Sequence, residues 1–418
     1  MSEQPKPPTG PPSGAPHDSH KQRAGDRLAA LDELEVEVEK LIAGGDGLGR
    51  FEGIPIFIPR SAPGDRLRIR LVERRPDYGR AEIVEILEPG PGRREPPCPF
   101  FGSCGGCDLQ HLEDDLQVEL KAAAVEETLR RLGALGDDLP IRTVAGQPWG
   151  YRVRTQLHIA SREGVVDVGY HSRRSSEVVA VDRCPVLVPE LEGTLRSLPG
   201  FLGVEGPRRL DLLVGEEGAL SSAPVVPGLP HGEVRLRVGE LDFGLDARCF
   251  FQAHRQLLPT LVETAVGSWG GGEAFDLYAG VGLFSLPLAH NYERVTAVEG
   301  DRVAARFARR NARSNRCKQL EVISRAVEGW IDELPEGAER VIVDPPRSGL
   351  SRPVRTVLGK KAPARLTYVS CHAGTLARDL RELTQVFSIE DLVPVSYTHL
   401  TLPTTDVGWR SRGWRWDG

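Results

Sequence analysis

Apolar and polar residues alternate in four short runs early in the chain, VEVEKLI, IPIFIP, RLRIRLV and RAEIVEIL, all between residues 31 and 92. A two-residue period sends alternate side chains to opposite faces of a β-strand. Glycine-rich breaks, GGDGLGRFEG and SAPGD, separate the runs, and closely spaced strands with such turns predict a small β-barrel. The glycines of residues 44–53 could also be read as a phosphate cradle, but no helix follows them, which favours a hairpin. Residues 93–248 contain one helix-like stretch, LEDDLQVELKAAAVEETLRRLG, followed by several strand-like runs. From about residue 249 the period changes. AFDLYAG, RVTAVEG, RVIVDPP and LTYVSC alternate with helical segments, the pattern of a parallel sheet with crossover helices. Residues 1–30, rich in Pro, Gly, Ser and charge, predict a disordered tail. The chain has no internal repeats.

Length, composition and charge add four constraints. A length of 418 residues, 40% hydrophobic, calls for two or three domains with cores of their own. No apolar run is long enough to span a bilayer, and the N-terminus lacks the apolar stretch of a secretory signal, so a cytoplasmic protein without a membrane partner is expected. Seven cysteines in a reducing compartment are better read as ligands or nucleophiles than as disulfides. A net charge of −6 offers no overall basic footprint for nucleic acid. Locally, Arg66, Arg68 and Arg70 alternate with Leu67, Ile69 and Leu71, and Arg152/Arg154 and Arg235/Arg237 repeat the pattern. Such runs are more often a solvated strand face, so they only support a nucleic-acid reading.

Two groups of residues carry chemistry. Cys98, Cys104 and Cys107 lie in CPFFGSCGGCDLQHL, with Cys184 far downstream in DRCPVL. Three thiolates in a glycine-containing loop plus a remote fourth can close a four-sulfur site on zinc or on an iron–sulfur cluster, and spacing alone does not choose. Gly102, Gly105 and Gly106 would let the backbone wrap closely. In DLYAGVGLFSLPLA, a strand ends near Ala279 and Gly280 and Gly282 make the turn into a helix, where a nucleotide-like ligand can approach the backbone. Glu299, ending RVTAVEG, can accept hydrogen bonds from ribose hydroxyls. The glycines are too few for the dinucleotide fingerprint, which argues against NAD. Asp344 in RVIVDPPRSGL and Cys371 in LTYVSCHAGTLARDL stand at the next two strand tips. In an open α/β sheet these tips border one crevice. A helix capped by Thr375 should follow Cys371, and its N-terminus should lower the thiol pKa.

These motifs resemble the bacterial class I RNA uracil-C5 methyltransferases, particularly the ribosomal-RNA branch, over about residues 33–395. The resemblance implies an α/β multidomain chain. Residues 31–92 would form an OB-like RNA-binding barrel of the TRAM type, 93–248 a central α+β domain with the cysteine loop, and 249–395 a Rossmann-like methyltransferase domain. It implies S-adenosyl-L-methionine as cofactor, with Gln252 and Tyr278 joining Gly280, Glu299 and Asp344 in binding it, and Asp344 also near the target uracil. It assigns Cys98, Cys104, Cys107 and Cys184 to a [4Fe–4S] cluster, and Cys371 to the catalytic nucleophile. The expected partner is RNA, 23S rRNA rather than tRNA, and the chain is expected to act as a monomer.

Chemistry explains the need for a thiolate. C5 of uracil is a poor nucleophile, and thiolate addition at C6 turns C5 into an enolate-like carbon that can take the methyl group. A base must then remove the C5 proton so that the sulfur can leave. The target base must also leave its stack, which calls for an RNA-gripping module. RNA cytosine-C5 methylation uses the same logic, but the four cysteines and the barrel argue against it; a non-catalytic RNA-binding or RNA-folding protein is the rival from another class.

The chain departs from the family in places. It has His254 where Asn is usual, His372-Ala373 for Asn-Pro, and Leu283 for a polar residue. After VFSIEDLVPV the family continues through Phe-Pro to His-x-Glu, whose glutamate is the base. Residues 396–418 read SYTHLTLPTTDVGWRSRGWRWDG instead, without a glutamate and resembling translated sequencing-adapter sequence. Asp406 falls near the expected position of the base but is not expected to replace it.

Overall fold

The structure, a computed structural model, describes residues 28, 30–132, 141–203, 206–396 and 404–411; most of the expected N-terminal tail lies outside the described residues. The chain divides into two compact units, Met1–Arg93 and Arg94–Gly418.

In the first unit, β1 (Glu33–Leu41), β2 (Asp46–Phe51), β3 (Ile54–Pro59), β4 (Arg66–Arg74) and β5 (Gly79–Glu88) close a barrel in the order β1-β2-β3-β5-β4. Val36, Val38, Ile56, Ile58, Leu67 and Ile69 fill it, which is the inward half of the first three alternating runs; of the fourth, β5, only Ala81 is fully inside and Val84 and Ile86 are exposed. The strand without an apolar alternation is β2, DGLGRF. Its glycines are steric necessities, since a Cβ on Gly47 would stand 2.8 Å from Val38 Cγ1 and one on Gly49 2.4 Å from Val36 Cγ2. β2 and β3 form a hairpin across Glu52 and Gly53, both at positive φ, as the absence of a following helix suggested. The outward arginines of β4 are not a free basic stripe. Arg66 pairs with Glu88 at 2.7 Å, Arg68 with Glu85, and Arg70 with Glu33 at 2.8 Å.

The second unit begins with the cysteine loop, α1 (Asp114–Arg131) and β6 (Val144–Ala145). Five antiparallel strands follow, β7 (Arg154–Arg162), β8 (Val165–His171), β9 (Val178–Ala180), β10 (Arg209–Val214) and β11 (Leu220–Ala223), in the order β11-β10-β7-β8-β9. α2 (Pro189–Ser197) buries Leu191 and Leu195 in their core. The hairpin of β12 (Val234–Val238) and β13 (Leu241–Leu245) leads to α3 (Leu258–Val266).

The last part is the alternating one: β14 (Gly271–Leu277), α4 (Ser285–Asn291), β15 (Tyr292–Glu299), α5 (Arg302–Ser314), β16 (Leu320–Ser324), α6 (Val327–Trp330), β17 (Arg340–Val343), α7 (Arg352–Lys361), β18 (Arg365–Ser370), α8 (Ala373–Leu383), β19 (Phe387–Ser396) and β20 (Thr404–Ser411). The sheet order is β16-β15-β14-β17-β18-β20-β19-β6, with β14 to β18 parallel. The central strands β17 and β18 and the second half of β14 are buried on both faces, as the middle of a parallel sheet must be, while β16 is a half-exposed edge. α1 also belongs to this core, through Val125 and Leu129 packed with Leu376, Leu380 and Leu392. Among the described residues no helix is long and apolar enough to cross a membrane.

Candidate active site

The strand order reverses between β14 and β17, so the loops leaving these two strands splay apart and open a crevice at their carboxyl ends. Tyr278, Gly280 and Gly282 follow β14, all at positive φ, and a Cβ placed on Gly280 meets nothing within 4 Å. The turn therefore presents backbone to open space. The Gly280 N–H donates to Glu299 Oε2 at 2.7 Å and the Asp301 N–H to Glu299 Oε1 at 2.6 Å. Glu299 thus closes the tip of β15 onto that of β14, with lone pairs left for a ligand hydroxyl. The Tyr278 hydroxyl donates to Glu328 at 3.1 Å.

Asp344 follows β17 directly, and the amide of Gln252 reaches its Oδ2 at 3.5 Å. Cys371 follows β18. Its thiol feels Arg347, which lowers its pKa, and Asp344, which raises it, but burial is the largest influence and the net shift is upward. The depressed pKa expected from a helix N-terminus is therefore corrected: desolvation of the thiolate outweighs it. The cap is also different. His372 Nδ1 accepts from the Thr375 N–H at 3.1 Å and α8 starts at Ala373, because the imidazole before the helix reaches the orphan amide that a serine or threonine would otherwise cover. Two supporting residues escaped sequence reading. Arg347 is one, three positions beyond the Asp344 strand tip. Asp379 is the other: fully buried, it accepts from Tyr368 Oη, the Leu350 N–H and Arg355 at 2.8, 2.8 and 3.1 Å, tying the loop after Asp344 to α8. Only its LARDL helix spacing marked it as inward-facing.

Two departures from the family pattern are accommodated by packing. His254 is fully buried and stacked on Tyr151, ring centroids 4.3 Å apart, where desolvation brings its pKa to about 4 and keeps it neutral. Leu283 lies in the apolar core. Asp406 falls on β20, whose backbone pairs it with Val369 and Val393; its side chain lies outside the described set.

Cys98, Cys104, Cys107 and Cys184 all line one cavity, with Arg152 and Tyr170. Gly105 makes the tight approach, donating to the His171 carbonyl at 3.0 Å where a Cβ would come within 2.8 Å of that oxygen. Burial pushes Cys104 to about 11 and Cys107 to about 12 as free thiols.

Comparison with known proteins decides what such a crevice belongs to. A family model described as tRNA (Uracil-5-)-methyltransferase matches residues 238–399, and a TRAM-domain model matches residues 32–84. A 23S rRNA (uracil(1939)-C(5))-methyltransferase, RlmD, of Alkalilimnicola ehrlichii is 31% identical over 85% of this chain and 91% of its own. An uncharacterised RNA methyltransferase of Protochlamydia amoebophila is 30% identical over 84% of this chain and 91% of its own. The chain belongs to the RNA uracil-C5 methyltransferase family. Its fold is that of the Pyrococcus abyssi tRNA (uracil-54, C5)-methyltransferase, crystallised with S-adenosyl-L-homocysteine: the TM-score is 0.69 at 23% identity, covering 90% of this chain and all of that one.

The methyltransferase crevice suits the donor this family uses, S-adenosylmethionine. Beneath the glycine turn Asp276 is fully buried, and while Ser285 donates to its Oδ2, Oδ1 has no partner among the described residues. A buried carboxylate oxygen without a donor, beside a turn with open space, fits a polar and cationic ligand. Without one, burial pushes Asp276 to about 7, with Asp344 and Glu299 adding to the rise. The sign follows from linkage. Between the ordinary carboxylate value near 3.8 and about 7, the folded chain keeps a proton that the unfolded chain has released, so stability falls as pH rises through that window. Asp276→Asn should therefore gain in melting temperature relative to the parent between pH 5 and pH 8. A difference that stays constant across that range would contradict the assignment.

Proposed function

We propose that this chain moves a methyl group from S-adenosylmethionine to C5 of a uridine in 23S rRNA, through a covalent bond between Cys371 Sγ and C6. The observation that carries the reading is the meeting of Cys371 and Asp344 at adjacent strand tips, with Arg347 from the loop after Asp344, beside the turn that holds Glu299. The bound donor supplies an electrophilic methyl group on a sulfonium. Arg347 stabilises the Cys371 thiolate against its desolvation, and the thiolate adds to C6. The C5–C6 π pair becomes the enolate of the uracil ring, and C5 takes the methyl group as its bond to the sulfonium sulfur breaks, which leaves the neutral thioether S-adenosylhomocysteine. Asp344 and the Gln252 amide orient the uracil edge and the donor, and Glu299 holds the ribose hydroxyls. Tyr278 and Gly280 shape the donor pocket.

The same reading gives Cys98, Cys104, Cys107 and Cys184 a [4Fe–4S] cluster. The fit rests on two observations. The four thiols line one cavity. The Arg152 guanidinium lines the same cavity, and its buried Nε, without a hydrogen-bond partner among the described residues, offers the countercharge that a thiolate-bound cluster needs. Methyl transfer is not a redox step, so the cluster shapes the RNA-facing loop rather than taking part.

The last step is elimination. It needs a base to take the C5 proton as the Sγ–C6 bond breaks, and residues 397–418 contain no glutamate. The chain should therefore form the adduct and release it slowly. Incubation with donor and a uridine-bearing stem-loop of 23S rRNA, followed by denaturing electrophoresis, should trap a protein–RNA band approaching one equivalent. Rapid multiple turnover with no such band would refute the missing base.

A further inference from the structure

The α5 segment departs most from the chain's acidic balance. Between Asp301 and Leu320 the sequence carries seven cations, Arg302, Arg306, Arg309, Arg310, Arg313, Arg316 and Lys318, and a single acid, Asp301. Asp301 is consumed as the N-cap, accepting from the Val303 and Ala304 N–H groups at 2.8 Å. All seven cations are exposed. Ala304, Ala305, Ala308 and Ala312 form the opposite, buried face, so the helix lies tight on the sheet and turns its charge outward.

These cations differ from the arginines of the barrel. Those on β4 stand opposite glutamates. Among the described residues, Arg310 alone of the seven has an ion pair, with Glu233 at 2.5 Å. Arg309 donates to the Val322 carbonyl at 2.8 Å, which leaves its charge uncompensated. The spacing of Arg302, Arg306, Arg309 and Arg313 confines them to about 60° of the helix and spreads them over about 16 Å of its length. Like charges at such spacings repel, so an unpaired stripe is a standing cost to the fold unless a polyanion meets it. Arg309, Arg313, Arg316 and Lys318 also line a groove at the β16 edge, with Glu321 as its acid.

We propose that this stripe and groove bind the phosphate backbone of a double-stranded segment of the substrate RNA, flanking the flipped uridine. The inference rests on the RNA methyltransferase reading. Position supports it. Arg302 comes three residues after Glu299, so the stripe starts at the cofactor edge of the sheet, and three strand spacings, about 14 Å, separate β15 from the strand that carries Cys371. Chemistry narrows the partner. No aromatic residue lines the groove, and without a stacking platform it cannot hold single-stranded bases. Regularly spaced guanidiniums suit phosphates, giving grip and register without sequence readout.

The test is fluorescence anisotropy with the full chain and a labelled stem-loop whose loop holds the uridine, titrated with KCl. The triple variant Arg302→Gln, Arg306→Gln and Arg313→Gln should weaken binding at least tenfold at physiological salt. It should also make the slope of log K against log salt shallower by about 2 to 3, near 0.9 for each phosphate left without its guanidinium. The matching Arg→Lys variant should keep most of the slope, and S-adenosylhomocysteine affinity should be unchanged in both. Should the triple variant fold poorly, Arg313→Gln alone should lower the slope by about 0.9. Unchanged affinity and slope overturn the proposal, and transfer of the effect to an acidic protein instead of RNA does the same. Failure of the unaltered chain to bind the stem-loop or S-adenosylhomocysteine would sink the methyltransferase reading as well.

Discussion

Cys371→Ala is expected to lower methyl transfer by at least about 10^4-fold, the scale of losing a covalent nucleophile, and to abolish the protein–RNA adduct. S-adenosylhomocysteine affinity should stay within about twofold, because the proposed donor pocket centres on the β14 and β15 tips while Cys371 follows β18. The separation matters: general damage to the crevice would lower both. Single-turnover transfer of labelled methyl, with donor binding measured by calorimetry on the same preparation, tests it. Residual transfer within tenfold of the parent would remove the thiol from the mechanism.

Replacement of Cys107 by serine should have the second-largest effect, on the fold of the second unit. Its sulfur lines the cavity shared by Cys98, Cys104 and Cys184, and burial pushes it to about 12 as a free thiol, so it stays protonated unless a bound cluster takes the place of the proton, as proposed above. Structural metal sites contribute folding energy outright, and loss of one ligand should cost several kcal/mol, on the order of 10 °C in melting temperature. Iron and sulfide analysis after anaerobic purification, with thermal melts of both proteins, checks this. Zinc without sulfide in the parent would exclude the iron–sulfur cluster.

Much of the fold was legible because its signals are local. The alternation in RLRIRLV places Leu67, Ile69 and Leu71 inside the barrel without any tertiary information, since a strand's period is set by its own backbone. The four apolar runs from AFDLYAG to LTYVSC become β14, β15, β17 and β18 for the same reason. DGLGRF was legible only as a turn. Its glycines mark close approach to Val36 and Val38 across the barrel, and such a clash does not exist until those strands pair. α1 was legible as a helix, but not its place beside Leu376 and Leu392, many residues away.

The candidate site divides along the same line. The chain itself determined which chemical groups stand at strand ends: Gly280, Glu299, Asp344 and Cys371 each follow or end an apolar run whose length and period are local properties. The tertiary structure decided their charge and their company. Burial raises the Cys371 thiol against the helix and Arg347, glutamates neutralise the arginines of β4, and those of α5 are left exposed. Each outcome depends on local dielectric and on charges brought within a few ångströms by distant segments. Coulomb energy and desolvation are set by distance through space, and one-dimensional spacing carries that distance only within a single helix or strand.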